Sequence, residues 1–283
     1  MSGRPRPGAS PHTYVCGHAP RELDRLALQS RIYEAVTTRL LVRAGIGAGQ
    51  HVIDLGCGAG DVSLLAAAAV GAAGSVTGVD RSSDAVTAAA ARAPHQPQLR
   101  FVVGELDRWQ PATAVDAVIG RFVLMHQRDP AALLARARAW VRPGGVVAFV
   151  ESDNAACRPG LHSRPHSATY QRIVDVWQGT LRAAGAHLDM GATLAAAFVA
   201  AGLSDPSTEI DVYTSGDPDS PIFRFAVESL RSMVPLATAA GIPTPTAADL
   251  EHLESTLRDE VVASHGELSA PPAYAVWARV ERQ

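Results

Sequence analysis

The chain has 283 residues and a formal net charge of −3, and 47% of its residues are hydrophobic, which is enough for one large domain or a domain with an elaboration. It contains no Lys, and its negative balance argues against a nucleic-acid partner that needs a broad basic face. The three cysteines lack CxxC spacing, which argues against a disulfide framework and a zinc site and favours reduced thiols in a cytoplasmic protein.

The N-terminal part of the chain predicts a helix behind a polar leader. Residues 1–13 are rich in Pro, Gly and Ser, so we expect them to be disordered. These residues lack the apolar segment that a secretory signal peptide needs, and no later apolar stretch is long enough to span a bilayer. Apolar residues recur at helical spacing over 20–44, and Gly45 is a plausible C-cap. We expect residues 14–45 to form a helical cap over a ligand pocket.

A strand–helix alternation follows. Asp61 is expected to cap the first helix of this part, Asp129 before Pro130 to cap a later one, and residues 142–145 to form a turn. The predicted strands are 51–55, 75–80, 99–104, 115–120 and 145–151, with helices over 62–70, 84–93 and from 130. This order predicts an α/β fold with a doubly wound, mostly parallel sheet. Ligands of such sheets bind at the carboxyl ends of the strands.

The rhythm changes after residue 151. A polar connection precedes predicted helices over 168–184, 191–201, 221–240 and 246–264, and the strands 207–215 and 274–280. The two late helices lie between the two strands in sequence. We therefore expect residues 46–152 to be the ligand-binding core and 153–283 to complete the sheet, with a helical lid insertion at about 221–265.

A glycine-rich loop ends the first predicted strand, in the sequence DLGCGAG from Asp54 to Gly60. Glycines let a ligand pack against backbone, and the helix that follows directs its free N–H groups toward it. The dinucleotide fingerprint GxGxxG would need a third glycine at position 61, where Asp61 stands. An acidic side chain there would repel a pyrophosphate but not a cationic ligand.

Polar residues follow the next three strands. Asp80 lies 20 residues after Gly60, where an acid accepts ribose hydroxyls in nucleotide-binding α/β folds. Glu105 and Leu106 follow the third strand and could bind an adenine, with Asp107 as a competing acceptor. Arg121 follows the fourth strand. These positions predict a nucleotide-type cofactor at one edge of the sheet.

With these motifs, the sequence resembles the class I, seven-stranded S-adenosylmethionine (SAM)-dependent methyltransferases of the small-molecule type. The resemblance covers residues 50–152, about a third of the chain. It rests on VIDLGCGAG, VTGVD, FVVGEL, VDAVIGRFVLMHQRDP and VRPGGVVAFVE, which occur in the family's order and spacing. It implies a seven-stranded sheet completed by an antiparallel hairpin, here STEIDVYTS and YAVWARV. It also implies SAM as the cofactor.

The resemblance assigns roles to particular residues. It implies that the loop Asp54, Gly56, Cys57 and Gly58 approaches the methionine part, that Asp80 with Arg81 lies at the ribose, and that Glu105 with Leu106 binds adenine. The family often has Asp where Glu105 stands. Arg121 would lie beside the sulfonium. YVCGHAPRELDRLALQ is also similar to a pattern that precedes the core in small-molecule members. There Tyr14, His18 and Gln29 would face the amino-acid end of the cofactor.

A general base is needed only if the acceptor carries a proton that must leave. We select His126, Glu151 and His18 as catalytic candidates, and Asp153, His162 and His166 also lie near the predicted sheet edge. His162 and His166 are in a predicted surface loop, where solvated side chains are the default. Asp153-Asn154 resembles part of a metal site in catechol methyltransferases. Gly120-Arg121 stands where that site needs a carboxylate, so no metal is expected.

The sequence leaves the acceptor open. A lidded, mostly apolar pocket favours a small organic metabolite, methylated on O, N or C, rather than a nucleic acid or a membrane. We expect a monomer or homodimer. Two alternatives remain: a SAM-binding protein that transfers no methyl group, and a nicotinamide-dependent oxidoreductase, against which Asp61 argues.

Overall fold

The computed structural model describes residues 20–281, with side chains from residue 24 onward. The strands are β1 (His51–Leu55), β2 (Ser75–Asp80), β3 (Leu99–Val103), β4 (Val115–Arg121), β5 (Val141–Ser152), β6 (Ser163–Arg164), β7 (Ser207–Asp211), β8 (Thr214–Ser215), β9 (Glu267–Ser269) and β10 (Ala273–Arg279). The helices are α1 (Pro20–Arg43), α2 (Asp61–Val70), α3 (Ser83–Ala91), α4 (Pro130–Trp140), α5 (Ala168–Ala183), α6 (Met190–Ala200), α7 (Pro221–Ala239) and α8 (Ala247–Ala263).

Seven strands form one sheet in the order β3–β2–β1–β4–β5–β10–β7. Strands β1 to β5 are mutually parallel, and β10 runs antiparallel to both β5 and β7. The first six residues of β4 and the last eight of β5 are buried, as strands covered on both faces should be. The predicted α/β fold, with its seven-stranded, mostly parallel sheet and antiparallel last strand, is confirmed.

Two predicted boundaries are wrong because backbone geometry overrides the local signal. Residues 142–145 lie within β5 rather than before it, where they interrupt its register with β4, although Gly144 has the positive φ of 85° that the predicted turn requires. The register passes from Val115 opposite Val141 to Ala117 opposite Val146, and the carbonyl of Gly144 accepts a hydrogen bond from Arg279 Nη1 of β10 at 3.1 Å. The predicted strand 207–215 is divided, since β7 joins the main sheet while β8 pairs with β9 in a small sheet of order β6–β9–β8.

The N-cap of α2 is also corrected. Gly60 occupies it with a φ of 85°, and no side chain caps the helix. Asp61 is instead the first helical residue, with its carboxylate 2.8 Å from Arg92 Nη2. A glycine is favoured at this position because the chain must adopt a left-handed conformation to leave the loop.

Helix α7 lies between α1 and α5. The ring of Phe225 on α7 is 6.3 Å from that of Tyr33 on α1 and 6.0 Å from that of Trp177 on α5. Helix α8 packs on α7 as the outer member of this helical region. No helix within residues 20–281 is long and apolar enough to cross a membrane.

Candidate functional site

The glycine loop after β1 combines two tightly packed positions with one open position. A Cβ at Gly56 would lie 2.6 Å from Val123 Cγ2, and one at Gly60 would lie 2.9 Å from Phe101 Cζ. At Gly58 the nearest atom would be Leu26 Cδ1 on α1, at 4.0 Å. The loop backbone at Gly58 therefore borders open space beneath α1.

The carboxylate of Asp80 joins two backbone segments at the end of β2. Its Oδ2 accepts a hydrogen bond from the Gly58 N–H at 2.9 Å, and its Oδ1 accepts one from the Ser82 N–H at 2.9 Å. A carboxylate has about four lone-pair sites, so each oxygen can accept another hydrogen bond. Asp80 is half-buried, while its neighbour Arg81 is exposed.

Asp54 and Cys57 attach the glycine loop to neighbouring elements by hydrogen bonds. Asp54 is buried and its Oδ2 accepts a hydrogen bond from Ser63 Oγ at 2.6 Å, which connects β1 to α2. Burial raises the pKa of Asp54 to about 7, although the bond from Ser63 opposes the shift. Cys57 donates its backbone N–H to the Val79 carbonyl at 3.0 Å, and burial raises the pKa of its thiol.

The residues after β3 lie beside Asp80. Gly104 donates its N–H to the Asp80 carbonyl at 2.9 Å, so the ends of β2 and β3 are joined. Glu105 is exposed, and Leu106 is half-buried against the core. The competing acceptor Asp107 is exposed, and its carbonyl accepts a hydrogen bond from Arg136. Glu105 therefore lies nearer to Asp80 along the connected backbone than Asp107 does.

The segment after β4 is strained. Phe122 has a φ of 58°, in the left-handed region, which costs a non-glycine residue about 1–3 kcal/mol. Its N–H donates to the Val150 carbonyl at 2.9 Å, and its ring lies 4.7 Å from Tyr33. The preceding Arg121 is half-buried and donates Nη1 to Thr37 Oγ1 on α1 at 3.0 Å. Burial lowers the pKa of Arg121, and the nearby carboxylates oppose this shift.

Glu151 lies directly under this strained segment. Its Oε1 accepts hydrogen bonds from the N–H groups of Val123 at 2.8 Å and Leu124 at 2.6 Å, and its Oε2 accepts one from Met125 at 3.3 Å. The side chain is fully buried. Burial raises the pKa of Glu151 to about 8, and the three N–H donors oppose this shift. Glu151 thus supports the backbone after β4 from within the core.

His126 and a buried arginine lie together beside this segment. His126 ends a short 3₁₀ helix, Leu124–His126, and is half-buried. Burial lowers its pKa to about 4, and the positive charges of Arg81 and Arg25 act in the same direction. Arg25 is buried and donates Nη1 to Gln29 Oε1 at 2.7 Å. Sequence reasoning did not select Arg25, although it precedes Gln29 by one helical turn.

The remaining candidates lie elsewhere. Asp153 Oδ1 accepts from the Ala156 N–H at 3.0 Å and so caps a 3₁₀ turn, and His166 is exposed. The prediction that His162 is solvated is wrong, because it is 3% exposed and its ring lies 5.1 Å from Tyr170. Residues 20–281 contain no group of three or more His, Cys, Asp or Glu that could hold a metal. Tyr14 and His18 lie outside the described residues.

A family model described as a methyltransferase domain matches residues 52–145, from the glycine loop through β4 and into β5. Residues 52–145 are thus similar to a methyltransferase domain. The match includes the Asp80 carboxylate, the Glu105–Leu106 turn and the strained segment after β4. The matched residues therefore include the sheet edge that carries most of the predicted cofactor residues.

Curated relatives match less than half of the chain. The trans-aconitate 2-methyltransferase of Delftia acidovorans is 36% identical over 119 residues, which are 41% of this chain and 42% of that enzyme. The enzyme of the same name from Klebsiella pneumoniae is 31% identical over 154 residues, which are 46% of this chain and 59% of that enzyme. The chain thus spans about half the length of the curated relatives it matches.

Solved structures extend the fold likeness beyond the methyltransferase domain. A phosphoethanolamine N-methyltransferase 2 of Haemonchus contortus, solved with SAM, superposes with a TM-score of 0.59 at 16% identity, covering 99% of this chain and 62% of that one. The [4+2]-cyclase SpnF superposes with a TM-score of 0.51 at 19% identity, covering 88% and 82%. These likenesses concern the fold alone.

Proposed function

We propose that this chain transfers a methyl group from SAM to a small organic acceptor, and that the acceptor atom is a carboxylate oxygen. The observation that carries the donor half of this proposal is the Asp80 carboxylate, which clamps the Gly58 backbone and keeps acceptor capacity for two hydroxyls. SAM supplies a methyl group already activated by its sulfonium. The protein must therefore align the reactants and exclude water.

The residues present fit this donor. The open space over Gly58 admits a ligand against the backbone, and the remaining lone pairs of Asp80 suit the ribose hydroxyls. Glu105 and Leu106 follow on the adjoining strand end and suit an adenine, as the sequence predicts. Gln29 accepts a hydrogen bond from Arg25 and lies on α1, one turn after Leu26. It therefore suits the amino-acid end of SAM.

Two described base candidates, His126 and Glu151, support the proposed acceptor class. A histidine with a pKa near 4 is a weak proton acceptor, and Glu151 uses both oxygens on backbone N–H groups. A carboxylate acceptor is already deprotonated at neutral pH and needs no base. Arg25 and Arg81, close enough to lower the pKa of His126, suit an anionic acceptor. The trans-aconitate methyltransferases among the relatives support the same class.

The direct test is a panel of di- and tricarboxylic acids, phenols and amines incubated with the full chain and SAM. We expect S-adenosylhomocysteine (SAH) together with a methyl ester from at least one acid, detected by mass spectrometry. Methylation of phenols or amines alone would contradict the acceptor class but leave methyl transfer standing. Formation of no SAH with any member, despite SAM binding by calorimetry, would contradict methyl transfer to these classes.

One observation supports a second function. The fold likeness to the [4+2]-cyclase SpnF indicates that this fold also serves reactions that are not methyl transfers. A SAM-binding protein of this kind would bind SAM and consume none of it. Quantifying SAM before and after a long incubation with acceptors separates the two functions.

A further inference from the structure

A cavity of about 810 Å³ lies between α5, α7 and α8, within the typical range of about 300–1,000 Å³ for small-molecule sites. One wall is a stripe on α5 that contains Thr169, Arg172 and Val176 at helical spacing. Leu230 of α7 and the segment 242–245 line another side, and α8 completes it. We refer to this space as the α5–α8 cavity.

The α5–α8 cavity is separate from the candidate methyl-donor site. The rings of Tyr33 on α1, Phe225 on α7 and Trp177 on α5 pack edge to face between the two sites. Neither the glycine loop nor Asp80 lines the cavity. A ligand bound there would therefore lie behind α7, away from the methyl group of SAM.

The apolar lining of the cavity is aliphatic. Ile173, Val176, Leu230 and Leu253 line it, its lining contains no Phe, Tyr or Trp, and the imidazole of His252 is the one aromatic ring among the lining residues. The wall 242–245 contains two prolines, which have no backbone N–H to donate. Ile242 in this wall packs on α5 at Gly179, where an added Cβ would lie 3.3 Å from Ile242 Cδ1. Such a wall suits a saturated chain better than a polar or aromatic ligand.

The charged side chains at the cavity differ in how many hydrogen bonds they already make to the protein. Asp175 Oδ1 accepts a hydrogen bond from Gln171 Nε2 at 2.7 Å, and Asp249 Oδ2 accepts from the N–H and hydroxyl of Thr246 at 2.9 and 2.7 Å. The exposed Arg172 donates Nη2 to Thr169 Oγ1 at a long 3.3 Å, which is its one hydrogen bond to another side chain among the described residues. A guanidinium has five N–H donors, so Arg172 keeps capacity for a carboxylate.

We propose that the α5–α8 cavity is a second ligand site, which binds a medium-chain aliphatic carboxylate with its chain on the aliphatic lining and its carboxylate on Arg172. The binding is independent of the methyl donor, and the ligand is not the acceptor. This assignment does not depend on the methyl-transfer proposal, because it rests on a different part of the fold.

Calorimetry of the full chain with octanoate and with 1-octanol tests the site. We expect octanoate to bind once per chain, with the same affinity in the presence of saturating SAH, and on the order of tenfold more tightly than 1-octanol. No octanoate binding at millimolar concentration, or equal affinity for the alcohol, would overturn the proposal. Formation of methyl octanoate from SAM would overturn it too, since the ligand would then be an acceptor.

Two pairs of variants locate the ligand. Ala248→Trp fills the cavity from an exposed position, while Ala247→Trp places the same side chain on the adjacent exposed residue outside the lining. We expect the first to lose octanoate binding and the second to keep it, with equal thermal stability. Arg172→Gln should lower octanoate affinity about tenfold and leave 1-octanol unchanged, whereas the exposed control Arg182→Gln should change neither. Octanoate binding by Ala248→Trp at the parent affinity would overturn the location.

Discussion

The carboxyl edge of the sheet and the helical region α5–α8 are organised by different kinds of interaction. At the edge, backbone groups dominate, since Asp80 and Glu151 bind main-chain N–H groups and three glycines adopt left-handed conformations. In the helical region, side chains dominate, through the rings of α5 and α7 and the aliphatic lining of the cavity. Side chains that bind main-chain N–H groups are positioned by the backbone of the fold. Surfaces made of side chains change whenever those residues are substituted. The difference explains why the residues at the sheet edge follow a sequence motif, whereas the lining of the α5–α8 cavity does not.

The largest effect is expected at Asp80. Asp80→Ala removes the acceptor of the Gly58 and Ser82 N–H groups and the proposed ribose contact, so SAM affinity should fall at least about 100-fold. Isothermal calorimetry measures this change, and circular dichroism checks the fold. Asp84→Ala, an exposed acid four residues later, is the matched control and should bind SAM normally. Unchanged affinity in Asp80→Ala would remove the reason for assigning the donor to this edge.

A pair of glycine variants separates packing from ligand space within the loop. Gly56→Ala should destabilise the fold by about 1–3 kcal/mol more than Gly49→Ala, because both have positive φ but only Gly56 has Val123 in the way. Gly58→Ala adds a methyl group into open space, so its stability should match that of Gly49→Ala while SAM affinity falls. Urea unfolding and calorimetry measure the two effects. Equal stability of the Gly56 and Gly49 variants would show that the loop is not held by packing.

The pH dependence of stability tests the backbone support under the strained segment. The folded-state pKa of Glu151, about 8, lies above that of an unfolded glutamate, about 4.3, so the native state binds more protons between these values. Stability should therefore fall as pH rises from about 5 to 8, with Asp54 contributing in the same direction up to its pKa of about 7. Glu151→Gln, which cannot ionise, should weaken this slope in urea unfolding.

Activity separates the two roles proposed for Glu151. If it positions the segment, Glu151→Gln should change kcat only a few-fold with an unaltered pH profile, since a Gln oxygen can still accept from the Val123 and Leu124 N–H groups. The half-buried Glu267→Gln is the control for both measurements, although it loses its own ion pair with Arg164. A loss of kcat of about 100-fold or more would instead indicate proton transfer by Glu151.

The same contrast explains what the sequence predicts. The strands, the helices and the order of motif residues follow from local periodicity, and Asp80 and Glu105 lie where the spacing places them. The position of Asp61, the bulge in β5 and the burial of His162 depend on contacts between distant segments, which local patterns do not contain. Glu151 was selected as a catalytic candidate because it ends a strand. Its three backbone partners lie more than 25 residues earlier in the chain.

The smallest effect is expected at His126, where the sequence predicts a catalytic group. Burial and the neighbouring arginines lower its pKa to about 4, so it is neutral across the physiological range and a poor base. With a carboxylate acceptor, the rate should be flat between about pH 6 and 9, since the acceptor is ionised throughout. His126→Gln should keep kcat within about threefold, while the exposed His166→Gln serves as the control. A loss of about 100-fold with an acidic limb near pH 4 would reinstate His126 as the base. The acceptor would then be a group that carries a proton. Side chains at the sheet edge would in that case take part in the chemistry, in addition to the residues that bind backbone N–H groups there.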